Sequence, residues 1–202
     1  MPGAEIAGAD AADAVIFTGE SLSASQRMGI PEKVIRSESA DIGLRVIRNR
    51  RQAVVSATDL SQKALDELVT RAIAMADTVP EDPYCSLADP EQLTTHMPDL
   101  DLADSQTPDA TVLMERAKIL EEAARAIPGI TNSEGAEAKW TRSYLAMAAS
   151  NGFVGGYTVT RHAVIVAVLA GEGLEMECDH ERHTCTYGSD LGDMEVLGRR
   201  AG

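Results

Sequence analysis

Apolar and polar side chains alternate through the first quarter of the chain, the two-residue period of strands with one covered face. Ala14-Val15-Ile16-Phe17 is a short apolar run ended by Gly19. Leu22, Ala24 and Gln26 then alternate with Ser21, Ser23 and Ser25. Gly29-Ile30-Pro31 reads as a turn, and Val34 and Ile35 open the next segment. Ile42, Leu44, Val46 and Arg48 oppose Asp41, Gly43, Arg45 and Ile47, and Asn49-Arg50-Arg51 makes a polar tip before Ala53-Val54-Val55-Ser56. The links are too short for a crossover helix, so residues 13–58 are predicted to form antiparallel hairpins.

From Ser61 the period becomes helical. Leu65, Leu68, Val69, Ala72, Ile73 and Ala76 return every three or four residues, giving one apolar face that would cover the sheet. Ser61 is the expected N-cap, because its hydroxyl can accept a bond from a free N–H of the first turn. Pro80 is expected to stop this helix, placed at 61–78. Five prolines between Pro80 and Pro108, with acidic residues among them, mark a linker over 80–106. Its run Asp99-Leu100-Asp101-Leu102-Ala103-Asp104 lacks the glycine and closing glutamate of an EF-hand, and reads as a solvated acidic stretch.

A second unit starts at Thr107-Pro108, read as an N-cap followed by proline at the first helical position. Ala110, Leu113, Ala117, Leu120, Ala124 and Ile127 form a helical stripe over 108–127, ended by Pro128-Gly129. Strands follow at 130–138, 140–149, 154–169 and 174–187. Asn151-Gly152 is expected to turn with positive φ at both positions. The stretch 193–200 begins a further helix. The predicted fold class is α+β, with two modules that each pair an antiparallel β-sheet with a covering helix: 1–79, and 107–202 beyond the linker.

Composition narrows the function. The 202 residues carry 18 Lys+Arg against 32 Asp+Glu, a formal charge of −14. That balance argues against a phosphate-backbone binder and against an anionic membrane surface, so neither nucleic acid nor membrane is an expected partner. Aromatic residues are 3% of the chain, leaving Ala, Val, Ile, Leu and Met to build the core. Three cysteines do not make a secreted disulfide framework. The opening Met1-Pro2-Gly3-Ala4-Glu5 has neither a basic nor an apolar signal region. The expected compartment is the cytoplasm.

The candidate chemistry is thin. Cys178-Asp179-His180-Glu181-Arg182-His183-Thr184-Cys185 holds two thiols and two imidazoles, the ligand types zinc prefers. In a strand, however, Cys178 and His180 share one face while His183 and Cys185 share the other, so one ion could not readily reach both pairs. His180-Glu181-Arg182-His183 brings its second histidine one position too early for a zincin helix. His162, alone on a long strand, reads as structural. No G-x-S-x-G, G-x-G-x-x-G or P-loop pattern is present. From the residues, no catalytic, cofactor-binding or metal-binding residue is assigned.

Several blocks together resemble a known family. Asp59-Leu60-Ser61 leading into the helix, then Pro80-Glu81-Asp82-Pro83-Tyr84-Cys85-Ser86-Leu87-Ala88-Asp89-Pro90, is similar to the PmbA/TldE proteins. So are Ile130-Thr131-Asn132-Ser133-Glu134-Gly135, the segment from Ser150 through Asn151-Gly152-Phe153 to Tyr157, and Val166-Ala167-Val168-Leu169-Ala170-Gly171-Glu172-Gly173. The blocks keep the family's order from about residue 8 to 200.

The resemblance implies a two-subunit cytoplasmic metallopeptidase, once described as a modulator of DNA gyrase, that cleaves small or unfolded peptides, processes leader peptides and degrades antitoxins. It implies that the TldD-type partner carries an H-E-x-x-x-H motif plus a distant cysteine for zinc or another divalent metal. The PmbA/TldE-type subunit lacks that motif and completes the heterodimer. Family members also open with a further helix and continue into a large C-terminal β-rich domain, so the expectation is an N-terminal fragment, non-catalytic alone, serving assembly or substrate access. The rival expectation is a stand-alone binding module acting on gyrase inhibitors or toxin–antitoxin components without proteolysis. A small zinc protein built on Cys178–Cys185 ranks third.

Overall fold

A computed structural model describes residues 8–94 and 96–202; the start Met1-Pro2-Gly3-Ala4-Glu5, on which the absence of a secretory signal was read, lies outside the described residues. Six strands, β1 (Ala11–Arg27), β2 (Ile30–Arg48), β3 (Arg51–Ala57), β4 (Ile130–Ala149), β5 (Val154–Ala170) and β6 (Glu177–Cys185), accompany helices α1 (Gln62–Ala76), α2 (Ala110–Arg125) and α3 (Met194–Gly198). The strands form one sheet in the order β3-β2-β1-β4-β5-β6. The class is α+β and antiparallel, as expected. The two separately predicted sheets are stretches of this one, because β1, β2, β4 and β5 run unbroken for 17 to 20 residues.

Two compact units divide the contacts. The first takes the described residues up to Gly19 together with Ser39–Leu100 and Ser143–Thr158; the second takes Glu20–Glu38, Asp101–Arg142 and Val159–Gly202. Each is therefore assembled from three separate stretches, with the long strands passing from one unit into the other.

In the first unit, Leu44, Val46 and Val55 of β2 and β3 and Ala12 of β1 pack against Leu68 and Ala72 of α1. The register Leu44↔Val55 and Val46↔Ala53 puts these apolar side chains on one face. Ser61 caps α1 by accepting the Ala64 N–H at 3.3 Å. The helix ends at Ala76, ahead of Pro80: the Asp77 N–H closes on Ile73 O, and the Thr78 hydroxyl donates to Met75 O at 2.8 Å. Gly19 does not end β1 as expected. A Cβ there would lie 3.1 Å from Ser39 Oγ, so the glycine admits a close neighbour within a continuing strand. The turn at 151–152 also differs, because only Gly152 has positive φ, at 95°. The Asn151 carboxamide instead accepts the Phe153 N–H and donates to Ala88 O, which widens the turn into a side-chain-closed loop.

In the second unit, Leu113, Ala117, Leu120 and Ala124 of α2 cover Ala136 and Ala138 of β4 and Val164, Val166 and Val168 of β5. The N-cap of α2 is Asp109 and not Thr107; its carboxylate accepts the Val112 N–H at 2.9 Å. A carboxylate at a helix N-terminus also meets the positive end of the dipole, which a threonine hydroxyl cannot match. Helix α3 is five residues long and closes at Arg199, two residues before Ala201 is buried in the same core. A Cβ on Gly198 would sit 2.4 Å from Leu120 O, so the glycine permits α3 to lie directly on the α2 backbone. Strand β4 runs through Lys139 without the expected break.

Candidate functional site

The Cys178–Cys185 run forms β6, paired antiparallel with β5 in the register Leu169↔Cys178, Ala167↔His180, Val164↔His183 and His162↔Cys185. Buried Val164 and His162 therefore share a face with His183 and Cys185, while Cys178 and His180 occupy the other. All three cysteines are free thiols. Among the described residues no group of three or more His, Cys, Asp or Glu side chains could hold a metal ion. The two Cys/His pairs of β6, set on opposite faces, do not fit a single metal centre.

The structure instead gathers polar groups around His162, which is 1% exposed. Its Nε2 lies 3.2 Å from Asp104 Oδ2. Neither ring nitrogen has an aligned hydrogen-bond partner, and the buried Arg116 Nη1 also lacks one. Asp104 is held more firmly: it accepts the Gly188 N–H at 2.9 Å and the Gln106 N–H at 2.8 Å. Its own N–H donates to Thr160 Oγ1 at 2.7 Å, and its carbonyl accepts from Arg142 at 3.0 Å. The Gly188 and Gln106 N–H groups hold the Asp104 carboxyl below its ordinary range despite some desolvation. Burial pushes the His162 imidazole down, and Arg116 adds to this, against an opposing pull from Asp104. Burial pushes the neighbouring Cys185 thiol up, with Asp190 in the same direction.

A histidine–carboxylate pair is the usual core of general-base chemistry. Here the pair is buried, with His162 1% and Asp104 6% exposed. The loop backbone lies against the ring, since a Cβ on Gly188 would be 3.0 Å from His162 Cε1. The arrangement fastens residues 101–106 to β5 and to the loop after β6. The solvated acidic stretch expected there thus ends in a buried anchor, Asp104.

A second buried carboxylate was not foreseen. Glu121 on α2 is fully buried and accepts the Met28 N–H at 2.6 Å, the Gly29 N–H at 2.9 Å and Gln26 Nε2 at 3.0 Å. Met28 and Gly29 both have positive φ, so this is the tight turn joining β1 to β2, one residue earlier than Gly29-Ile30-Pro31 suggested. Burial pushes the Glu121 carboxyl up, but its donors outweigh that, Gly29 first, and hold it below its ordinary value. The sequence does carry one signal for Glu121: it follows Ala117 by four and precedes Ala124 by three, which puts a charge on the apolar stripe. Asp104 carries no such signal.

One long-stranded antiparallel sheet with helices packed on it defines an α+β protein. Two family descriptions match it in sequence: PmbA/TldA metallopeptidase domain 1 over residues 12–76, and the PmbA/TldA metallopeptidase central domain over 103–202. Metalloprotease PmbA of Escherichia coli O157:H7 is 32% identical over 94% of this chain and 42% of its own length. A crystal structure of a proposed modulator of DNA gyrase from Bacteroides thetaiotaomicron superposes with a TM-score of 0.88 at 22% identity, covering 96% of this chain and 45% of that one. TldE from Thermococcus kodakarensis gives a TM-score of 0.78 at 15% identity, over 95% and 43% of the two chains. The chain belongs to the PmbA/TldD metallopeptidase family. It spans about two fifths of the length of the curated relatives it matches.

Proposed function

We propose that this chain supplies the first and central domains, divided near 79 and 107 by the proline-rich stretch, of a PmbA/TldE-type subunit of a two-subunit cytoplasmic metallopeptidase. It is non-catalytic. It pairs with a TldD-type subunit that holds the zinc or other divalent ion, and it shapes access of small or unfolded peptides to that partner's centre. The observation that supports this reading is the family match over both domains in a chain whose described residues offer no metal-binding group. Size-exclusion chromatography of the chain mixed with a purified TldD-type subunit tests it. Co-elution as a stoichiometric complex is expected; separate elution at micromolar concentrations removes the assembly role.

A further inference from the structure

Strand β2 is covered by β3 only over Ile42–Arg48. Among the described residues no strand lies on the outer side of Ile30–Glu38, which is therefore an open sheet edge of the second unit. Such edges carry unpaired N–H and C=O groups that can accept another strand. This one is also apolar: Ile30 is 67% exposed, Val34 53% and Ile35 51%. Among the described residues no helix covers the segment, every residue of which is exposed.

Charge selects the occupant. The chain carries −14 overall, so most of its surfaces repel a second copy. Ile30–Glu38 holds Glu32 and Glu38 against Lys33 and Arg36, and is neutral. When two such segments run antiparallel about Val34, all nine residues overlap. Val34 faces Val34, Lys33 faces Ile35, and Glu32 faces Arg36 on both sides of the dyad. No like charges stand opposite each other in that register. Arg36 already meets Glu20 and Glu38 in exposed ion pairs, which are weak enough to be shared. We infer that Ile30–Glu38 is a homotypic docking edge, through which two copies of this chain join their sheets with Glu32 against Arg36. Pro31, which has no N–H to donate, shortens the ladder at its ends and limits growth beyond the pair.

Nine residues make about 30 Å of edge, less than a stable interface usually needs, so dimerisation is expected to be weak, with a dissociation constant on the order of tens of micromolar. Sedimentation equilibrium of the 202-residue chain from about 5 to about 500 µM brackets that value. The expected result is a monomer–dimer equilibrium. Glu32→Lys alone and Arg36→Glu alone each turn two attractive cross-strand pairs repulsive and weaken it about tenfold or more. An equimolar mixture of the two variants restores opposite charges at both contacts and recovers association to within about threefold of the wild type. Circular dichroism and melting temperature, unchanged at these exposed positions, show that both variants are folded. A wild-type chain that is monomeric throughout, a dimer indifferent to both reversals, or a mixture no tighter than its components overturns the inference. The test uses this chain alone, so its outcome is separate from that of pairing with a TldD-type subunit.

Discussion

The buried Glu121 carboxylate accepts the Met28 backbone N–H at 2.6 Å, tying the middle of α2 to the turn between β1 and β2. Two positive-φ residues in succession leave N–H groups that the hairpin itself cannot satisfy, and the helix supplies the acceptor. Glu121→Ala strands these donors and Gln26 in a closed interior and is expected to destabilise the chain by roughly 3 kcal/mol in denaturant unfolding. Glu121→Gln keeps one acceptor and costs about half as much.

The His162 imidazole sets a pH window. Its folded pKa lies below the ordinary 6.5, chiefly through burial, so the unfolded chain binds the extra proton first. The stabilisation from neutral His162 is full above about 6.5 and is lost as pH falls toward the folded value. Asp104 and Arg116 are the charged groups that act on the imidazole, in opposite directions. Asp104 and Glu121, both held low, add losses only in more acid solution, below 3.8 and 4.5 respectively. Unfolding free energies measured from pH 7.5 to 5 are expected to fall with a slope of up to about 1.4 kcal/mol per pH unit in the wild type. His162→Gln should remove that slope; a slope that survives unchanged would assign it elsewhere.

Gly198→Val drives a branched side chain into the Leu120 carbonyl, where even a Cβ would lie 2.4 Å away. Helix α3 must then lift off α2. Amide exchange is expected to lose protection across Met194–Gly198 with a cost of about 1–3 kcal/mol, while α1 is unaffected.

The thiols should divide by exposure. Cys178 is exposed, whereas Cys185 is half-buried, donates to Tyr187 O at 2.9 Å and has its ionisation pushed up by burial. A thiol reagent is expected to label Cys178 well ahead of Cys185 under native conditions. Elemental analysis of chain purified without chelator should find no stoichiometric zinc on Cys178–Cys185, because the two Cys/His pairs face opposite sides of β6.

Much of the fold was legible from local signals, and the particulars show why. Ser61, the stripe from Leu113 to Ala124, and the polar tip at Asn49-Arg50 act within one turn or one hairpin, where sequence spacing equals spatial spacing. Gly19 and Lys139 looked like breaks because a sequence does not reveal what stands beside a strand; Ser39 beside Gly19 decides that glycine's use. Asp104 reads as solvated until Thr160 and Gly188, 56 and 84 residues away, are seen to hold it. Glu121 was detectable as a charge out of place on an apolar stripe, but its partners at Gln26, Met28 and Gly29 were not.

Peptide hydrolysis tests the central claim most directly. The chain alone, at micromolar concentration with added zinc, is expected to leave unfolded peptide substrates intact. Chelator-sensitive cleavage by the chain alone, lost in no variant of the partner because none is present, would contradict the assignment of a non-catalytic PmbA/TldE-type scaffold.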